Sequence, residues 1–177
     1  MMRKLFLCSI VLLAGLSAAQ VTRLQAQAPL DGRNRIFRDD FLDNLAGDWK
    51  LTRNIRGQSG ENSVKADWAL NHQFLLVHMK DGSNPPSYEA MAFIGYDNTS
   101  ERYVAHWIDV FGGRFSETLG YGQRSGNSIK FVFEYPDGPF HNTFTWHPDT
   151  KRWVFLMEQK DQTGTWKTFA EDTLRRP

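Results

Sequence analysis

The sequence predicts an all-β chain: an antiparallel up-and-down barrel of about ten strands, with one short helix near its start. Three observations carry this. From residue 48 onward apolar and polar side chains alternate with a period of two, as in strands with one buried face. The alternating runs are short, and clusters of Gly, Pro, Asn and Asp separate them. Six Trp and 13 Phe supply bulk for an interior even though the mean hydropathy is −0.50. Strands in such an order commonly remove their edges by closing on themselves. A closed barrel of about this size can hold a small molecule inside.

The first residues are of a different kind. Met1-Met2-Arg3-Lys4 is basic, residues 5–16 are almost wholly apolar, and Ser17-Ala18-Ala19 offers small side chains before Gln20. This is the pattern of a secretory signal, so residues 1–19 are expected to be cleaved and the rest exported to the periplasm or beyond. The apolar run is shorter than the roughly 20 residues of a spanning helix, and no later segment is apolar enough to span. The single cysteine, Cys8, lies in this run, so the mature chain has no thiol chemistry and no thiolate metal site. Loss of Arg3 and Lys4 takes 21 basic residues to 19 against 20 acidic ones, a formal charge of −1. That balance, without a basic cluster, excludes a nucleic-acid partner.

Residues 20–33 contain Pro29 and Gly32 and read as a flexible leader to a barrel domain at 34–177. Phe37, Phe41 and Leu45 share a helical face over residues 34–44, with Asn34 as a candidate cap. Trp49, Leu51, Arg53 and Ile55 then share a strand face. After a turn at 57–60 come strands at 61–70 and 74–79, the latter two broken near Asn71-His72, and a loop at 81–86. Strands follow at 90–96, 102–110 and 114–121, joined by turns at 97–100 and at Gly112-Gly113. Gly120-Tyr121-Gly122 reads as a turn, where Gly is needed for backbone geometry. Ile129, Phe131, Phe133 and Tyr135 share a face in 128–135. Pro136-Asp137-Gly138-Pro139 is a turn. Phe140, Asn142, Phe144 and Trp146 share a face in 140–147, as do Trp153, Phe155 and Met157 in the next strand. The last strand is 165–174.

Leu45-Ala46-Gly47-Asp48-Trp49 resembles the Gly-x-Trp opening of lipocalin-like, or calycin, barrels. Gly95-Tyr96-Asp97, Tyr103, Trp107-Ile108-Asp109, Gly120, and Trp166 with Leu174-Arg175 resemble, in that order, the bacterial domain-of-unknown-function family 1579. The resemblance covers residues 34–176 and implies a calycin-type barrel without implying an activity. The fold it implies is similar to that of fatty-acid-binding proteins and haem-binding nitrobindins. Nitrobindin-like chains carry a haem-ligating His in the last strand. Residues 167–174 hold none, so no haem or other cofactor is expected.

Hydrolase, metalloprotease, phosphate-loop and dinucleotide motifs are missing. Of the five His, His141 and His147 fall on a polar strand face and are expected at the surface. His78 and His106 are expected as satisfied core histidines, and no metal site is expected. More telling are polar residues on apolar faces: Arg53 after Trp49 and Leu51, Asp109 after Trp107, Glu117 between Phe115 and Leu119, and Asn142 between Phe140 and Phe144. A buried charge must be paired, so Arg53 is expected to contact Glu117 or Asp109 inside the barrel. An apolar cavity with a few convergent polar groups is the usual make-up of a ligand site. The candidate ligand-binding residues are therefore Trp49, Arg53, Trp107, Asp109, Glu117, Phe131, Asn142 and Trp146, and the expected partner is a small apolar or amphipathic molecule. The alternatives are an enzyme with Glu117 or Asp109 as general base, and an envelope interaction module with a solid core. Export makes a direct prediction: N-terminal sequencing of the mature protein starts at Gln20, and a soluble cytoplasmic product beginning at Met1 refutes it.

Overall fold

The computed structural model describes residues 36–177. The expected signal (1–19), the leader (20–33) and the candidate cap Asn34 lie outside the described residues. Ten antiparallel strands form a closed barrel: β1 (Gly47–Ile55), β2 (Gln58–Ala69), β3 (Phe74–Asp81), β4 (Glu89–Asp97), β5 (Arg102–Asp109), β6 (Leu119–Ser125), β7 (Ser128–Tyr135), β8 (Gly138–His147), β9 (Arg152–Lys160) and β10 (Trp166–Arg175). Each strand pairs with its neighbours in sequence, and β1 closes onto β10. The all-β up-and-down barrel read from the sequence is the architecture found.

Alternation places one face of every strand inside. Trp49, Leu51 and Arg53 are buried on β1 while Lys50, Thr52 and Asn54 are exposed. The β1–β2 hairpin is tighter than the turn expected at 57–60. Arg56 and Gly57 both have positive φ, 50° and 84°, which is the backbone of a two-residue primed turn. Gly57 N–H also donates to Asn54 Oδ1 at 3.0 Å.

The helix α1 is only Asp40–Asp43, and Asp39 caps it by accepting from the amides of Phe41 (2.9 Å) and Leu42 (3.0 Å). The sequence face Phe37, Phe41, Leu45 misled because its members serve different neighbours. Phe37 sits ahead of the helix among Trp68, Tyr96 and Tyr103. Phe41, Leu42 and Leu45 are buried and plug one end of the barrel; full burial of each contributes about 1.5–3 kcal/mol. Two indoles fasten the plug. Trp49 Nε1 donates to Leu45 O at 2.7 Å, and Trp153 Nε1 to Asn44 O at 3.2 Å. From outside, the Arg176 guanidinium lies 3.7 Å from the centroid of the Trp49 ring and donates to Ala46 O at 2.9 Å. Above the plug, Leu51, Ile129, Phe131, Phe144, Phe155 and Leu174 fill the lower half, with Phe144 and Phe155 stacked at 3.8 Å.

The strand expected at 114–121 starts only at Leu119, as β6, and its first part is not strand. Gly113–Phe115 is a 3₁₀ turn, and Gly112 before it has φ 85°, a bend that ends the strand pattern. Gly120 and Gly122 lie within β6, not in a turn. Strand β5 meets β6 over four residue pairs, Tyr103–Gly122 to His106–Leu119, against eight between β4 and β5. His106 Nε2 is 2.6 Å from Ser116 O and ties down the intervening loop. His106 and His78 face outward, so neither is a core histidine; His78 Nε2 is 2.6 Å from Glu89 Oε1.

His141 also faces outward but is not at the surface. The Trp166 ring stacks on it at 3.6 Å and leaves it 9% exposed. Burial, reinforced by the charges of Lys130 and Lys160, lowers its pKa from the usual 6.5, while Glu158 and Glu134 pull the other way. A depressed folded pKa means the unfolded chain takes up the proton first, so this group's contribution is complete above pH 6.5 and fades as pH falls below it. Urea unfolding from about pH 7.5 to about pH 5.5 is expected to show that loss, and a smaller one in His141→Phe, which keeps the stack; equal losses would exclude the assignment.

Candidate functional site

The end of the barrel away from α1 is open. A cavity of about 880 Å³ runs from the mouth down to the filled half. Small and large inward side chains are unevenly divided around the barrel. Small residues (Ala66, Ala90, Ala92, Ala105, Gly120 and Gly122) occupy inward positions on β2 and β4 to β6. The opposite wall is aromatic, with Phe133, Tyr135, Phe140 and Phe169 in successive contact at 5.6–6.3 Å. Phe133 lies against the backbone of β6: a Cβ on Gly120 would stand 2.5 Å from the tip of its ring. The ring thus occupies the place of the side chain that Gly120 lacks. Trp107 and Tyr88 complete the aromatic lining.

The polar groups gather in two places. Deep in the cavity, Arg53 donates to Asp172 through Nε (2.9 Å) and Nη2 (2.6 Å), a two-pronged ion pair. Asp172 is fully buried and Arg53 is 8% exposed. Burial opposes the guanidinium's charge, but the hydrogen bonds and charge of Asp172 outweigh it and hold the Arg53 pKa above its ordinary value. The guanidinium lies 4.4 Å from the Tyr88 ring centroid, and Nη2 is 3.5 Å from Met79 Sδ. Burial raises the Tyr88 phenol's pKa although Arg53's charge pulls it down. Asn142, 3% exposed, has no partner for its Oδ1. Across the barrel on β2, Asn62 Nδ2 is also without a partner. The second polar region is the mouth, where Arg56, Glu61, Asp81, Arg114, Asp137 and Lys160 mix both signs. Arg114 pairs with Asp137 there at 3.2 Å.

Of the candidate residues, Arg53, Trp107, Asp109 and Asn142 line this cavity. Trp49, Phe131 and Trp146 belong to the filled half, where Trp146 packs on Trp49 and Trp153. Glu117 is exposed on the loop after the 3₁₀ turn and does not line the cavity. The expected contact of Arg53 with Glu117 or Asp109 is therefore corrected to Asp172. Glu117 was placed by counting alternate residues through a segment that is not a strand. Asp109 instead accepts the Phe111 amide at 3.0 Å, and its charge adds to burial in raising the Tyr135 phenol's pKa. Asp172 and Tyr88 were missed. Period two does mark both: Asp172 lies between Ala170 and Leu174, and Tyr88, just before β4 starts, continues the face of Ala90, Ala92 and Ile94.

Among the described residues, no group of three or more His, Cys, Asp or Glu is placed to hold a metal ion. No helix among them is long and apolar enough to cross a membrane. The fold and site together define a closed ten-stranded barrel, plugged at one end and hollow at the other, with an aromatic wall and a polar floor. The chain belongs to the family described as protein of unknown function (DUF1579), whose model matches residues 38–176. The search of curated proteins gives no match.

The ion pair carries a prediction. Arg53→Met leaves a buried carboxylate unpaired and is expected to cost about 3–5 kcal/mol in urea unfolding, while Arg53→Met with Asp172→Leu recovers most of that loss. A single change costing less than about 0.5 kcal/mol would show that the pair is solvated.

Proposed function

We propose that this is an exported barrel protein that takes a small, partly apolar molecule into its open half. The observation that carries the reading is the cavity of about 880 Å³, walled by aromatic rings and floored by a buried Asn142 amide with an unmatched oxygen. Ligand pockets of about 300–1,000 Å³ with apolar linings and a few placed polar groups are the common form of small-molecule sites. Export rests on Arg3-Lys4, the apolar run at 5–16 and the small residues at 17–19. The hollow upper half is at odds with an envelope module built on a solid core. Of the residues the enzyme reading rests on, only Asp109 keeps its place in the cavity without an ion-pair partner, since Arg53 is engaged by Asp172 and Glu117 lies outside the cavity.

Titration with N-phenylnaphthylamine, an uncharged dye that brightens in apolar surroundings, tests the reading. Saturable binding is expected, together with quenching of Trp107. Met157→Trp adds an indole to the cavity and should weaken the dye by at least about tenfold if the variant keeps its circular dichroism spectrum. Absence of saturable binding in the unaltered protein, with no small molecule retained in native mass spectrometry, would overturn it.

A further inference from the structure

We infer that the floor of the cavity selects an uncharged ligand, one that reaches it with a hydroxyl or carboxamide group and lies with its apolar body against the aromatic wall. This rests on the binding reading above and names the chemical class it would serve.

An arginine at the bottom of an apolar barrel is usually an invitation to a carboxylate, because a guanidinium cannot lose its charge and needs an acceptor. Here the invitation is already taken. Asp172, fully buried, meets Arg53 with both carboxylate oxygens at 2.9 and 2.6 Å. The remaining face of the guanidinium lies over the Tyr88 ring. One cation and one anion leave the floor with no net charge. A ligand carboxylate placed beside them would put two anions against one cation, away from water, and an ammonium would make the opposite imbalance. Both are costly in a low-dielectric interior.

What the floor does lack is hydrogen-bond partners of the neutral kind. The Asn142 oxygen is an unmet acceptor on a side chain 3% exposed, and the Asn62 nitrogen is an unmet donor on the other side of the cavity. Both residues line the space. A hydroxyl or a carboxamide both donates and accepts, so it can answer either group, whereas a carboxylate cannot donate to Asn142. Leaving such a group unmet is expensive, so filling it discriminates among ligands. The mouth does not reverse the preference, because its charges are of both signs and two of them pair with each other.

The test is displacement of N-phenylnaphthylamine from the mature protein by a series with one chain and different heads: dodecanol, dodecanamide, dodecanoate, dodecylammonium and dodecane. Dodecanol and dodecanamide are expected to bind at least about tenfold more tightly than either charged homologue. Asn142→Leu should shrink the advantage of dodecanol over dodecane by at least about fivefold, because the unmet acceptor is gone. Asp172→Asn frees the guanidinium, so the ratio of dodecanoate to dodecanol binding should rise by at least about tenfold. If Asp172→Asn does not fold, the homologue series and Asn142→Leu decide alone. Dodecanoate binding as tightly as dodecanol overturns the inference and leaves the binding reading standing. Failure of the dye and of every homologue overturns both.

Discussion

Two strands from opposite ends of the described chain must meet for this barrel to close, and a buried ion pair sits on their line of contact. Arg53 on β1 stands directly opposite Asp172 on β10. Such a pair contributes little net stability, because removing two charges from water offsets most of their attraction. Its effect is on register. A slip of one residue turns Arg53 outward and brings Thr52 or Asn54 in. A slip of two keeps Arg53 inside but sets it opposite Ala170 or Leu174, with Asp172 stranded. Only the observed alignment leaves neither charge alone. The pair therefore fixes the closing seam, and the seam fixes the height at which the floor of the cavity lies.

The filled half and the hollow half are lined by different side chains of the same ten strands. Near the plug, Trp49, Phe144, Trp153 and Phe155 come from β1, β8 and β9, and Leu75, Ile94 and Tyr103 from the facing strands. Nearer the mouth, Phe133, Tyr135, Phe140 and Phe169 line one side of the open space, and Asn62, Tyr88, Trp107 and Asp109 line the other. Gly120 lets Phe133 lie flat against β6 rather than project into the space. A Cβ at that position would push the ring into the open space.

Much of this was legible in the sequence, for a physical reason: period two survives in nearly every strand, and it placed Arg53, Trp107, Asp109 and Asn142 inside. The partner of Arg53 was not legible, because it is 119 positions away and only closure brings the two strands together. Glu117 failed for the opposite reason. Its flanking Phe115 and Leu119 imitate a strand face, but Gly112-Gly113 had already turned the chain. The division of the site was hidden as well. Alternation says which side chains point inward and nothing about depth, so Trp49, Phe131 and Trp146 looked equivalent to the residues that line the cavity. The helix was overread because Phe37 has the right spacing and the wrong neighbours.

The short β5–β6 contact makes the wall mechanically uneven. Four residue pairs hold these strands where eight hold β4 to β5, and toward the mouth the space between them is spanned by a loop whose Phe111 is 67% exposed. Local opening is easiest where few buried contacts and few ladder hydrogen bonds resist it. Widening of the mouth therefore concentrates at this one join, like a cask with a single loose stave. The β1–β10 seam lies on the opposite side, with six ladder pairs and the Arg53–Asp172 ion pair across it. Opening at that join leaves Arg53 and Asp172, on the far side of the barrel, where they are.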